Sequence, residues 1–122
     1  MENILVWLDI PVLKLDRAIK FYSAVLGAKV SKESAHGCEF GLLPHAGNSV
    51  SACLCVGGEN KPSKHGPLVY LNVSGRLDAA VKAAKTKGGK LVQKKHPIGP
   101  YGFKAVILDS EGNQIALHSP TK

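Results

Sequence analysis

The chain has 122 residues, 44% of them hydrophobic and 20% charged, with a formal net charge of +7. That is room for one compact core and short for two independent ones, and no apolar run approaches the roughly 20 residues that a membrane-crossing helix needs. The opening stretch MENILVWLDIP has an acid at position 2, no basic region ahead of its apolar residues, and a proline before they could complete a signal core, so it reads as the first strand of a cytoplasmic protein.

In that stretch Val6, Leu8 and Ile10 alternate with Trp7, Asp9 and Pro11, which predicts a strand with one buried face. A helix follows. Ala18, Ile19, Tyr22, Val25 and Leu26 recur at helical spacing, Asp16 stands in the first turn where the macrodipole favours a carboxylate, and Gly27 is placed to end the helix. Short strands are predicted around 28–33, 37–43 and 49–56, separated by Gly, Pro, His and Asn. The stretch GGENKPSKHGP, 57–67, reads as a flexible linker. Beyond it the pattern predicts a strand at 67–73, a helix at 76–87 closed by Gly88 and Gly89, and strands near 90–95, 102–108 and 113–119.

The two halves repeat each other. LDRAIKFYSAVLGAKV aligns without gaps with LDAAVKAAKTKGGKLV, matching at Leu15/Leu77, Asp16/Asp78, Ala18/Ala80, Lys20/Lys82, Gly27/Gly89 and Val30/Val92, and AGNSVSACL lies over EGNQIALHS. The predicted fold is therefore α+β, one domain over 1–122 made of two tandem βαβββ modules, about 3–56 and 67–119, with the linker at about 57–66. A module of this kind has a helix on one sheet face only. Two of them, within one chain or between two, can curl their open faces into a curved mixed sheet around a central cup.

The cysteines, Cys38, Cys53 and Cys55, are odd in number, and the last two face the same way on a predicted strand. Free thiols in a reducing compartment fit better than a disulfide framework. Lys82, Lys85, Lys87, Lys90, Lys94 and Lys95 follow one predicted helix and its connection without interleaved aromatics, which reads as a solvated face, so nucleic acid is not the expected partner. His36, His45 and His65 sit beside Gly or Pro in apparent loops without metal-ligand spacing.

The segments IPVLKLDRAIKFYSAVLGAKV, GPLVYLNVSGRLDAAVKAAKTKGGKLV and AVILDSEGNQIALHS together resemble the vicinal oxygen chelate superfamily, the group of glyoxalase I, bleomycin-resistance proteins and extradiol dioxygenases. The likeness covers nearly the whole chain, with Ser110 where the usual D-P-x-G-N turn has proline. Glyoxalase-like members hold a divalent metal in the cup with a ligand from the first and last strand of each half, and the resemblance puts Trp7, Ser51, Leu68 and Ala116 at those positions. Trp7, Leu68 and Ala116 offer no lone pair suited to such a cation, and a lone serine hydroxyl is a poor ligand. No metal and no cofactor are expected, and the family's Lewis-acid chemistry is disfavoured. The resemblance implies a metal-free member, a homodimer away from membranes, whose cup binds a small organic molecule. Bleomycin-resistance proteins take up a basic drug in an acidic groove. The net charge here points instead to a neutral or anionic ligand. Alternatives are a lyase or isomerase of the glyoxalase type using a non-standard site, and a drug-resistance or accessory binding protein.

Strand alternation names the side chains facing the cup: Trp7 and Asp9, Leu68, Tyr70 and Asn72, Lys104 and Val106, Gln114, Ala116 and His118, with Glu39, Ser51 and Cys53 added by the repeat. The loop HPIGPYGF, 96–103, is expected to close over the mouth, with Tyr101 and Phe103 as contacts. Two residues beyond each metal position stand Asp9, Cys53, Tyr70 and His118. They are candidates for a displaced site, catalytic with His118 as general acid or base oriented by Asp9 and with Tyr70 at hand, or metal-binding, or they are packing residues only.

Overall fold

Order in the chain is β1 (Asp9–Val12), α1 (Leu15–Leu26), β2 (Ser31–Ala35), β3 (Cys38–Leu42), β4 (Cys53–Val56), β5 (Val69–Asn72), α2 (Leu77–Thr86), β6 (Lys90–Pro97), β7 (Phe103–Leu108) and β8 (Gln114–Ser119), with one 3₁₀ turn at Gly99–Tyr101. The structure, a computed structural model, describes residues 3–35 and 37–122; the acid at position 2 and the loop histidine at position 36 lie outside the described residues. The strands form two four-stranded mixed sheets, in the orders β1-β4-β3-β2 and β5-β8-β7-β6. In each sheet the first and last strands pair in parallel and the remaining neighbours are antiparallel. This is the α+β pattern of two βαβββ halves that the repeat implied.

The first strand begins later than the alternation predicts. Val6 is 76% exposed, and the ladder starts only where Cys53 N–H donates to the Leu8 carbonyl at 3.0 Å. The physical reason is the partner: β4 begins at Cys53, so the residues ahead of Leu8 have no strand beside them. Pro11 is tolerated because β1 is an edge strand, where a missing N–H breaks no ladder.

Two apolar clusters make the core, and α1 serves both. Ala18 and Tyr22 pack with Ile10, Val12, Val30 and Leu54, whereas Phe21 and Val25 pack with Leu77, Ala80, Ile107 and Leu117 of the second half. Ile107 and Leu117 are fully buried on the helix side of their sheet, each such side chain contributing about 2 kcal/mol of transfer free energy. A helix that reads in sequence as the cover of its own module is thus shared with the other.

Both ends of α1 are held by the second half. Lys14, the N-cap, supplies no side-chain cap. Glu111 in the β7–β8 turn supplies one, its Oε1 accepting the backbone N–H groups of Leu13 and Lys14 at 2.8 and 2.9 Å, while Arg17 donates to both carboxylate oxygens at 2.7 and 2.9 Å. At the far end the Arg76 guanidinium donates to the Val25 carbonyl. Asp109 completes the junction, with Oδ1 accepting the N–H groups of Glu111 and Asn113 and Oδ2 accepting the Tyr22 hydroxyl and the Asn113 amide, whose nitrogen also donates to the Pro11 carbonyl. Among the described residues no buried side-chain polar atom lacks a partner. The segment read as a free linker is stitched into this junction, since Ser63 N–H donates to Asn113 Oδ1 at 3.0 Å and its carbonyl accepts Gln114 N–H at 3.2 Å.

Candidate functional site

On the first sheet the parallel register sets Asp9 level with Cys53, and the two-residue repeat of a strand puts Cys55 on the same face one step along. The three side chains touch. Cys53 Sγ donates to Asp9 Oδ1 at 3.2 Å, and the Cys53 and Cys55 sulfurs are 3.3 Å apart. The Trp7 indole N–H donates to Cys53 Sγ at 3.5 Å, and its ring meets His45 edge-on. Burial, followed by the hydrogen bond to Cys53 and the negative charge of Asp9, pushes the Cys55 thiol up to about 12. All three cysteines are free thiols.

These residues line a cavity of about 500 Å³ together with Pro11, Phe40 and Val56, Cys38, Glu39 and the start of the linker, Gly57 to Asn60. Among the described residues its charged lining is acidic, Asp9, Glu39 and Glu59 with no basic side chain. Glu39 also lies 3.8 Å from Lys32, outside the cavity wall.

The second sheet carries a separate hollow of about 340 Å³ with Tyr70, Asn72 and His118 in its lining. His118 Nε2 lies 2.6 Å from the Tyr101 carbonyl, which can only accept, so Nε2 carries a proton. Lys104 Nζ donates to the Tyr70 hydroxyl at 3.0 Å and lies 5.3 Å from the centre of its ring. A third hollow, about 190 Å³, lies where β1 approaches β5 and β8, and contains Asp9, His65 and Gln114.

The residues expected around one cup are therefore divided. Trp7, Asp9, Glu39 and Cys53 share the first cavity; Tyr70, Asn72 and His118 share the second hollow, with Lys104 against Tyr70; Gln114 lines the third. Asp9 is engaged by Cys53 and His118 by Tyr101, two pairs rather than one orienting dyad. Phe103 packs against the second core cluster, and Tyr101 is 74% exposed on the 3₁₀ turn of the loop expected to close the mouth. Sequence reasoning left out Cys55, Phe40 and Glu59. The same-face spacing of Cys53 and Cys55 was the available signal for the first; nothing local flags the others, because the linker's path along the sheet is set by Ser63.

A family model described as the Glyoxalase/Bleomycin resistance protein/Dioxygenase superfamily matches residues 4–117. The chain belongs to this superfamily. Solved structures of similar fold include a glyoxalase/bleomycin resistance protein from Albidiferax ferrireducens, 17% identical over 96% of this chain and 98% of that one with a TM-score of 0.75. A genomically encoded fosfomycin resistance protein, FosX, from Listeria monocytogenes is 14% identical over 98% of this chain and 94% of that one, with a TM-score of 0.68. A glyoxalase I mutant from Zea mays is 22% identical over 95% of this chain but only 46% of its own, with a TM-score of 0.66. No curated protein matches the chain. At these identities the solved structures speak to fold alone.

The positions at which the superfamily resemblance puts a divalent metal do not fit one. Trp7 has only an N–H to offer, and it is directed at Cys53. The Ser51 hydroxyl is turned to the Leu43 and Pro44 carbonyls, at 3.2 and 3.3 Å. Leu68 and Ala116 have no donor atom in their side chains. Ala116 is fully buried and stands opposite Tyr70 rather than Leu68, so the last pair is not even level.

Proposed function

We propose that the protein binds a small organic molecule, neutral or positively charged, in the cavity of the first sheet, without a metal at the positions its glyoxalase relatives use. The observation that carries this is the cavity itself: about 500 Å³, lined by apolar side chains with a few polar groups among them, within the range of small-molecule sites. Its charge decides the ligand class. The net charge of +7 favoured a neutral or anionic ligand, but the charged side chains that line the cavity among the described residues are Asp9, Glu39 and Glu59, which repel an anion at close range. The expectation of an anion gives way on that ground.

Trp7 is the only tryptophan and lines this cavity, so its emission reports entry of a ligand. The test is a thermal-shift screen of small metabolites and drugs followed by Trp7 fluorescence titration of every compound that raises the melting temperature by mass action. Stabilising compounds should alter Trp7 emission and lose at least tenfold in affinity on Phe40→Ala. Stabilisers that leave Trp7 silent and bind that variant normally would refute the reading. An enzymatic role of the lyase or isomerase kind rests on the second hollow, where the Nε2–H of His118 leaves Nδ1 as the basic nitrogen of the neutral ring. Turnover lost in His118→Ala with ligand affinity retained would support it. The same reading has the chain pair with a second copy, supported by Ile4, Leu5 and Val6 standing 90, 59 and 76% exposed ahead of an edge strand; sedimentation of the full chain against an Ile4→Glu/Val6→Glu variant tests it.

A further inference from the structure

We infer that Asp9, Cys53 and Cys55 together form a binding site for a zinc ion, distinct from the positions at which the superfamily's metal would sit. The donor atoms, one carboxylate oxygen and two sulfurs, all lie within 4.8 Å of one another on two hydrogen-bonded strands. Zinc takes thiolate sulfur at about 2.3 Å and carboxylate oxygen at about 2.1 Å, so a tetrahedral ion holds its sulfurs roughly 3.7 Å apart and a sulfur and an oxygen roughly 3.5 Å apart. The observed separations are 3.3 and 3.2 Å. These two pairs have only to open by a few tenths of an ångström, within the reach of a χ1 adjustment, and the third, Asp9 to Cys55, lies within 4.8 Å.

The donor set also selects the ion. Two sulfurs exclude magnesium and calcium, which take oxygen ligands, and a carboxylate beside them suits borderline zinc. Three protein ligands leave one coordination position, and the triad stands in the wall of a 500 Å³ cavity that can fill it with water or with a ligand atom. The Trp7 N–H aimed at Cys53 Sγ is the kind of outer hydrogen bond that steadies a coordinating thiolate. A disulfide is the competing fate of two neighbouring thiols. Two strand residues separate the α-carbons by roughly 6.6 Å, near the outer limit of disulfide geometry, so oxidation would have to buckle β4, whereas an ion accepts the sulfurs nearly where they stand.

The inference goes beyond the proposed small-molecule binding and does not require it. The experiment is titration of the reduced full chain with Co²⁺ followed by displacement with Zn²⁺. The expected result is a sulfur-to-cobalt charge-transfer band saturating at one ion per chain and abolished by one equivalent of zinc. Cys55→Ser should remove most of that band and weaken zinc binding at least tenfold, and Asp9→Asn should keep the band while weakening affinity about tenfold. Cys38→Ser, in the cavity lining outside the triad, should change neither. Cys53 is buried, so if Cys53→Ser fails to fold, the partly exposed Cys55 still decides the matter. Absence of the band in the reduced protein, or an unchanged band and affinity in Cys55→Ser, would overturn the site. Repeating the Trp7 titration in chelator keeps the two proposals separable, because an organic ligand that binds without metal survives the loss of this one.

Discussion

Glu111 accepts the backbone N–H of Lys14 at 2.9 Å across 97 positions of chain, capping a helix start that local residues leave bare. Its side chain is fully buried and holds Arg17 as well. Glu111→Gln keeps the shape but removes the charge, leaving donors of Leu13, Lys14 and Arg17 against an amide. The expected cost is about 3 kcal/mol, read as a lower urea midpoint at unchanged slope.

The same carboxylate sets a pH dependence. Burial works to raise its pKa, but the hydrogen bond from Arg17 and those from Lys14, Ser110 and Leu13 prevail and hold it at about 2. The folded value is the lower one, so the stabilisation is complete above about 4.5 and is lost as pH falls toward 2, a contribution of about 3 kcal/mol. Urea unfolding of the parent protein and Glu111→Gln across that window should show the gap between them closing as the solution is acidified. A constant gap would show that the carboxylate is not ionised in the fold.

Tyr22 is fully buried with its hydroxyl on Asp109, and burial followed by that negative charge raises its pKa well above 10. Alkaline titration of tyrosine absorbance in the folded protein should show a deficit from Tyr22, which appears on denaturation. Because the folded state resists this ionisation, stability declines as pH climbs beyond about 10. Tyr22→Phe should abolish the deficit and cost about 1–2 kcal/mol.

Gly27 and Gly99 have nearly the same backbone angle, φ 67° and 65°, but differ in what stands beside them. A Cβ on Gly27 would lie 2.7 Å from Arg76 Cζ, and one on Gly99 would meet nothing within 4 Å. Gly99→Ala should show the left-handed strain alone, about 1 kcal/mol. Gly27→Ala adds displacement of the guanidinium that caps Val25 and should lower the melting temperature by clearly more, a difference that Arg76→Ala erases.

Phe21 is fully buried against the second core, and Phe21→Ala should cost about 3–5 kcal/mol in chemical denaturation. The Lys95–Asp78 ion pair, although only 2.9 Å long, has an Asp78 side chain 80% exposed. Asp78→Ala should shift stability by less than about 1 kcal/mol.

The repeat made the fold legible, because a duplicated helix segment that aligns without gaps, with Gly27 over Gly89, and a duplicated turn at Gly47-Asn48 and Gly112-Asn113 locate the elements of both halves. Periodicity also oriented β7 and β8 correctly, with Ala105, Ile107, Ile115 and Leu117 on the helix side. What it could not carry is how the halves meet. Phe21 and Tyr22 are sequence neighbours that enter different cores, and the partners of Lys14 and Val25 lie on the other half of the chain. For the candidate site, alternation put Asp9 and Cys53 on one face and spread the candidates around one cup, whereas Cα register and cavity linings divide them between the sheets.

The double hold on α1 has a consequence for biosynthesis. The first half leaves the ribosome with a helix whose start and end both await atoms not yet translated, Arg76 first and Glu111 well after it. Until then Phe21 and Val25 have no second core to enter, and the nascent half is a sticky, unfinished layer that chaperones or another nascent copy could engage. Completion of the last hairpin is the step that closes that interval.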